Sequence, residues 1–287
     1  MRPDEIKPDA ALADDAVPDW PDRRLQRARV DTAGTSVASV ECLIEEIPVA
    51  LVYNGISHAV MLATPSDLED FGHGFSLSEG IVASADEIFD CEAVAVEQGV
   101  ELRMEIAGER LQHLKARRRQ LAGRTGCGLC GIESLQAAMP SPEPVPARPP
   151  LTVSAIRRAL KKLNAHQKLH RVTGAAHAAA WASRDGDIVL VREDVGRHNA
   201  LDKLIGAMAS AQGPAPDLAD GFVLVTSRAS VEMVQKVARA GIGLLAAISA
   251  PTAMATRYAE EAGVTLVAHL RRERLTCYSR PDGLIND

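Results

Sequence analysis

The second half of the chain repeats one pattern, and that pattern restricts the fold more than any other feature. Short apolar runs at Ala178–Ala182, Ile188–Arg192, Phe222–Thr226, Leu244–Ser249 and Thr265–Ala268 alternate with amphipathic stretches at Val153–Leu163, Asn199–Ala209, Val231–Ala240 and Ala253–Ala262. Runs this apolar read as strands buried on both faces, and the stretches between them have helical period. Strands separated by helices predict a layered α/β core with parallel pairing. With 46% apolar residues in 287, the chain has enough material for a sizeable core.

The first half follows a different rule. Strand-like stretches Val37–Ile44, Pro48–Tyr53 and Val60–Ala63 are separated by Glu45-Glu46 and by Asn54-Gly55, a hairpin-turn pair. Thr64-Pro65-Ser66-Asp67 predicts a helix start with Thr64 as N-cap, and Ser84-Ala85-Asp86-Glu87 predicts a second capping box. Val94–Ile106 reads as another strand pair, and a basic helical run fills 110–124. Residues 140–150 hold six prolines in eleven positions, which predicts a stiff, extended linker. The expected organisation is a disordered acidic tail over 1–25, an α+β domain over 26–139, the linker over 140–150 and an α/β core over 151–287.

A formal net charge of −6 argues against a general nucleic-acid binder. Residues 1–22 lack the apolar stretch of a signal peptide, and no run approaches the length of a membrane-spanning helix. Five cysteines, odd in number and widely spaced, do not form a secreted disulfide framework. A cytoplasmic protein with available thiol chemistry is expected.

Two of those cysteines, Cys127 and Cys130, lie in the loop Gly126-Cys-Gly-Leu-Cys-Gly131. The loop precedes a short helical stretch, Ile132–Met139, whose N-terminal dipole would lower a thiol pKa, and Arg124 stands three residues upstream. A mobile loop presenting an activated thiol suits sulfur transfer, with a persulfide on Cys127 that Cys130 accepts or resolves. Half a zinc site and a thioredoxin-like disulfide pair are the alternatives. His166 and His170 stand at H-x-x-x-H spacing, but far from the cysteines and beyond the linker. A zinc nucleobase deaminase is set aside, because no histidine starts an H-x-E and Thr125-Gly126 precedes Cys127 where that chemistry needs proline.

Three further clusters carry polar chemistry. Glu193-Asp-Val-Gly-Arg-His-Asn-Ala-Leu-Asp-Lys203 sits between a strand and a helix, where α/β sheets bind ligands, and offers Asp194, Arg197 and His198. Strand-to-helix turns with Ser227, Arg228 and Ser230, and with Ser249 and Thr252, place hydroxyls and free N–H groups at helix starts, a geometry that takes phosphate. The segment His269, Leu270, Arg271, Arg272, Glu273 and Arg274 adds charge after the last strand. Arg117-Arg118-Arg119 reads as a solvated helix face or as a docking patch for an acidic partner.

Together, Thr125–Gly131, Glu193–Ala200, Ser227–Ser230 and Ser249–Thr252 resemble the formate dehydrogenase accessory sulfurtransferases, the FdhD family. The resemblance runs from about Val40 to Tyr278 and includes Asn54-Gly55, Thr64-Pro65 and Ser78-Glu-Gly80. It implies a cytidine-deaminase-like three-layer α/β/α core with a smaller α+β N-terminal domain, in a homodimer. It also implies a sulfurtransferase that takes sulfur from a cysteine desulfurase as a persulfide on Cys127, with Cys130 as companion. The acceptor implied is the molybdenum of the bis(molybdopterin guanine dinucleotide) cofactor, bound as substrate and destined for formate dehydrogenase. His269–Arg274 resembles the family's cofactor-binding stretch, and GDP-like guanine nucleotides are expected to act as mimics. On this reading neither nucleic acid nor membrane is a partner and no metal is held by the protein. The alternative is a non-catalytic chaperone that only binds the molybdenum cofactor.

Overall fold

The computed structural model describes residues 25–32, 35–121, 141–142, 144–209, 216–271 and 274–287, with the backbone alone for 25–41 and 117–121. The expected tail before Leu25, the Cys127–Cys130 loop and the helical stretch Ile132–Met139 lie outside the described residues.

The first half opens with a separate hairpin, β1 (Leu25–Thr32) and β2 (Thr35–Cys42). A four-stranded sheet follows in the order β4-β3-β6-β5, built from β3 (Ile47–Tyr53), β4 (Ile56–Ala63), β5 (Ile88–Val96) and β6 (Gly99–Ile106). Asn54 and Gly55 both have positive φ, 46° and 77°, as a two-residue hairpin turn requires. Helices α1 (Leu68–Ser78) and α2 (Gly108–Leu121) accompany this sheet, and Phe71, Phe75 and Leu114 pack on Val49, Leu51, Leu102 and Met104.

The sequence-derived start of α1 is corrected. Its N-cap is Asp67 in a left-handed conformation (φ 51°), and Thr64 is fully buried at the junction with the second half. Ser84–Glu87 opens only a 3-10 turn over Ala85–Glu87, because Glu87 is drawn into hydrogen bonds with Ala83 N and Arg110 and the chain enters β5 directly.

The second half is a six-stranded sheet in the order β13-β12-β11-β10-β8-β9. Its strands are β8 (His177–Ser183), β9 (Ile188–Asp194), β10 (Gly221–Val225), β11 (Leu244–Ala247), β12 (Thr265–Ala268) and β13 (Thr276–Ser279). Only β10–β11 and β11–β12 are parallel; β8 runs antiparallel to both neighbours, and β13 antiparallel to β12. The expectation of parallel pairing therefore holds only where a helix connects neighbouring strands. Between β8 and β9 the chain turns at Asp185-Gly186, where Gly186 has φ 78° and an added Cβ would lie 2.1 Å from the Ala155 carbonyl oxygen.

Strand alternation divides the core into two faces. Phe222, Leu224, Ala180, Ala182 and Val267 face α3 (Val153–His166), while Val223, Val225, Ala179, Trp181 and Leu266 face α5 (Arg197–Ala209), α6 (Val231–Arg239) and α7 (Ala253–Ala262). A short helix, α4 (Lys168–Thr173), follows α3. The result is a three-layer α/β/α core beside a smaller α+β part. The small strands β7 (Leu151–Thr152) and β14 (Leu284–Ile285) pair beside α3. Among the described residues no helix is long and apolar enough to cross a membrane.

The two halves meet where α1 crosses α5. A Cβ on Gly74 would lie 1.7 Å from the Asp202 carbonyl oxygen, and one on Gly206 would lie 1.8 Å from that of Asp70. Backbone therefore touches backbone at this crossing, which only glycine allows. The proline-rich stretch is extended and docked on the core. Val145 is buried and its N–H donates to Ala262 O (2.8 Å), while Arg184 holds the Pro149 and Pro150 carbonyls.

Candidate functional site

The described residues of the three polar clusters read from the sequence converge at one sheet edge, where β10, β11 and β12 end and β8 begins. Backbone hydrogen bonds stitch three successive turns into a ledge. Ser249 N donates to Ser227 O (3.4 Å), His269 N to Ser249 O (3.1 Å), Ala229 N to Ala250 O (3.2 Å) and Thr252 N to Ala229 O (3.0 Å). On the β8 side, Ala178 N donates to Thr226 Oγ1 (2.9 Å). Helices α5, α6 and α7 all start at this edge, so three positive dipole ends face it.

The side chains divide by role. Arg228, His269, Arg271 and Arg274 are exposed on the ledge, and Ser230 and Ser249 are half-buried. Ser227 is buried and donates to the Arg228 carbonyl, and Thr252 is committed to capping α7 through Ala255 N (3.1 Å). Leu270 is corrected: it is buried in the core with Val267 and Phe222, so it anchors the segment while its neighbours face outward. Arg272 and Glu273 lie outside the described residues. His269 has φ 54°, in the left-handed region that few residues other than glycine enter and that histidine enters more readily than most.

At the β9–α5 corner, Arg197 Nε and His198 Nε2 are buried and have no hydrogen-bond partner among the described residues. Ser230 Oγ, at the start of α6, is a third such atom. Buried polar atoms are nearly always paired, so three orphans on one ledge mark where a ligand's polar groups fit. The Glu232 carboxylate is 3.9 Å from His198 Nε2, too long for a hydrogen bond.

Asp194 is corrected. The sequence places it among ligand-binding groups, but its carboxylate is fully buried and surrounded by four donors: Gly196 N (2.7 Å), Asn199 Nδ2 (3.0 Å), Thr64 N (2.9 Å) and Lys203 Nζ (2.6 Å). Lys203, also fully buried, donates to Thr64 O (2.9 Å), and Val195 N donates to Thr64 Oγ1 (3.0 Å). Asp194 therefore holds the corner that presents Arg197 and His198, and locks it to the first half. Burial pushes the Lys203 ammonium below its usual range, against the opposing pull of Asp194.

A second buried network escapes sequence reasoning. Lys236 Nζ donates to Glu79 Oε1 (2.7 Å), Ser78 Oγ (2.9 Å) and Asp202 Oδ2 (3.0 Å), and Ser78 Oγ donates to Asp202 Oδ1 (2.6 Å). Burial pulls the Lys236 pKa down, but Asp202 and Glu79 outweigh it and hold the ammonium above its ordinary range. The available signal was the i, i+4 spacing of His198 with Asp202 and of Glu232 with Lys236 on neighbouring helices.

A cavity of about 800 Å³ lies at the other end of α5 and α6, lined by Leu77, Met208, Arg239 and Tyr258. The ledge, with its convergent polar groups, is the better-defined site.

A profile of the FdhD/NarQ family matches residues 44–285. The chain belongs to the FdhD/NarQ family. Curated relatives include the "Sulfur carrier protein FdhD" of Cupriavidus necator, 52% identical over 284 residues, covering 99% of this chain and 96% of the relative. The protein of the same name from Chromobacterium violaceum is 56% identical over 249 residues, covering 86% and 91%. The crystal structure of a candidate formate dehydrogenase accessory protein from Desulfotalea psychrophila shares the fold, with a TM-score of 0.70 at 24% identity, covering 92% of this chain and 99% of that one.

For an FdhD/NarQ member, the state of the remaining thiols matters. Burial, with Glu69, Asp90 and Asp70 nearby, pushes the Cys91 thiol up to about 12, and burial also raises Cys277. Neither forms a ready thiolate. Among the described residues no three His, Cys, Asp or Glu side chains are grouped to hold a metal ion.

His198 gives a pH prediction. Burial first, then Arg197 and Lys236, lower its pKa to about 4. The unfolded chain, with an ordinary histidine near pH 6.5, binds the proton more readily. Stability contributed by this site is therefore fully present above about pH 6.5 and lost as pH falls towards about 4. His198→Gln is expected to flatten the acid limb of a stability–pH profile measured by urea unfolding. An unchanged acid limb would show that His198 titrates normally.

Proposed function

We propose that this FdhD/NarQ member is a cytoplasmic sulfurtransferase that serves formate dehydrogenase. Cys127 takes sulfur from a cysteine desulfurase and delivers it to the molybdenum of the bis(molybdopterin guanine dinucleotide) cofactor. The Cys127 thiolate attacks the terminal sulfur of the donor's persulfide; the new S–S bond forms on Cys127 as the donor's thiolate leaves. Cys130 then attacks Cys127 Sγ, releasing the outer sulfur as sulfide to the metal and leaving a Cys127–Cys130 disulfide. A reducing thiol resets the pair. A homodimer is the proposed assembly.

The observation that carries this reading is the family match over 44–285, a span that contains Cys127, Cys130 and the ledge, together with relatives named sulfur carriers. The ledge supports the cargo's chemistry. Helix N-termini, Arg228, Arg271 and Arg274 suit its phosphates, and His198 and Arg197 offer unpaired polar atoms for the rest.

The test is mass spectrometry of the protein after incubation with a cysteine desulfurase and cysteine. A mass gain of one sulfur, located on Cys127, is expected, alongside calorimetric binding of GDP to the same preparation. GDP binding without any sulfur gain would favour a chaperone that only holds the cofactor.

A further inference from the structure

The charge of this acidic chain is unevenly distributed. Between Leu151 and Arg184 the sequence has seven Lys or Arg and no Asp or Glu. Helix α3 turns Ile156, Ala159 and Leu163 into the core, which leaves Arg157, Arg158, Lys161 and Lys162 exposed on its outer face. Lys168 and Arg171 of α4 continue the exposed strip. Three of the six are engaged locally: Arg158 donates to Asp185 O, Lys162 pairs with Asp187, and Arg171 acts on the Glu193 carboxylate. Arg157, Lys161 and Lys168 form no hydrogen bond or ion pair among the described residues. Three free cations on one strip repel one another unless an anion lies near them.

The same chain carries a complementary segment. Residues 1–22 hold seven acidic residues against two basic ones. The segment joins β1 at Leu25, whose hairpin partner β2 touches α4. Twenty-four residues at about 3.4 Å each are more than long enough to run along α3 from there. A covalently attached segment acts at an effective concentration of about the millimolar range, which favours it over a free acidic partner of similar charge.

We propose that the acidic segment 1–22 docks on the basic outer face of α3 and α4. The contact is electrostatic and intramolecular, and it is independent of sulfur transfer. It covers a surface that would otherwise attract acidic proteins or nucleic acid.

The lysine inventory makes this testable. Of seven lysines, Lys7 belongs to the segment and Lys203 and Lys236 are buried. The exposed ones are Lys161, Lys162 and Lys168 on the strip and Lys115 on α2 in the other half. Zero-length carbodiimide cross-linking of the full chain should join Asp14, Asp15 and Asp19 to the three strip lysines and spare Lys115. The links should vanish in about 1 M salt, where the Debye length shrinks to about 3 Å. Arg157→Glu with Arg171→Glu keeps every reactive lysine and weakens the attraction, so it should cut the yield severalfold, with circular dichroism confirming an intact fold. Equal linking to Lys115, or a yield indifferent to salt and to these substitutions, would overturn the proposal. So would links found only between labelled and unlabelled copies in an isotopically mixed sample, which would place the segment on a second chain.

Discussion

Cys127→Ala is expected to abolish persulfide loading, and cells relying on this variant should contain formate dehydrogenase with no measurable activity. The loss should be severe because neither Cys91 nor Cys277 is suited to replace Cys127. At about 12, the Cys91 pKa leaves about a thousandfold less thiolate than a thiol at 9, and Cys91 Sγ already faces Glu69 O at 3.8 Å. Cys277 is likewise raised and donates to Ser279 O at 3.2 Å. Cys91→Ala and Cys277→Ala are therefore expected to leave loading unchanged. The ledge is built from β10–α6, β11–α7 and the segment after β12, stretches of sequence that contain none of Cys91, Cys127 and Cys277, so Cys127→Ala should still bind GDP. Normal sulfur gain by Cys127→Ala would end the persulfide role for that residue. Loss of both sulfur gain and GDP binding would point instead to a misfolded variant.

The legible parts of the sequence were those set by local rules. Asn54-Gly55 marks a hairpin because both residues must adopt positive φ, and the helical period over Ala253–Ala262 holds, with Thr252 capping the start and Gly263 left-handed beyond the end. The two strand-to-helix turns were found by their hydroxyls, and the ledge follows once β10, β11 and β12 lie side by side. Pairing direction was not legible, because an apolar run such as Ala178–Ala182 looks the same in either orientation; the Asp185-Gly186 turn was the only local sign of the antiparallel strand. Asp194 and Leu270 mislead in the sequence for the same reason. Both sit inside polar motifs, and their burial depends on contacts with residues 130 positions away in one case and with the opposite face of the sheet in the other. Thr64 reads as a cap from its neighbours, yet its partners, Asp194, Val195 and Lys203, come from the other half of the chain.

That burial yields the second large effect. Asp194→Ala leaves the Lys203 ammonium with no exposed surface and only the Thr64 carbonyl as partner. Breaking a buried ion pair from one side typically costs about 3–5 kcal/mol, because the surviving charge is neither solvated nor paired. In a chain of this size each kcal/mol lowers Tm by about 2–4 °C, so a fall on the order of 10 °C is expected in thermal unfolding. Burial already pushes Lys203 below its usual range, and losing Asp194 pushes it further, so the variant should regain stability as pH rises and the lysine sheds its proton. Lys203→Met is expected to cost a similar amount by stranding the carboxylate, although Gly196 N, Asn199 and Thr64 N still solvate it. The double variant Asp194→Asn with Lys203→Met removes both charges and should recover most of the loss. Its GDP affinity then separates the two roles of the pair. If Asp194 only stabilises the fold, the double variant binds GDP normally. If it sets the corner that carries Arg197 and His198, the fold returns but GDP binding stays weak. The four donors around this single carboxylate, two of them from the β9–α5 corner itself, favour the second outcome.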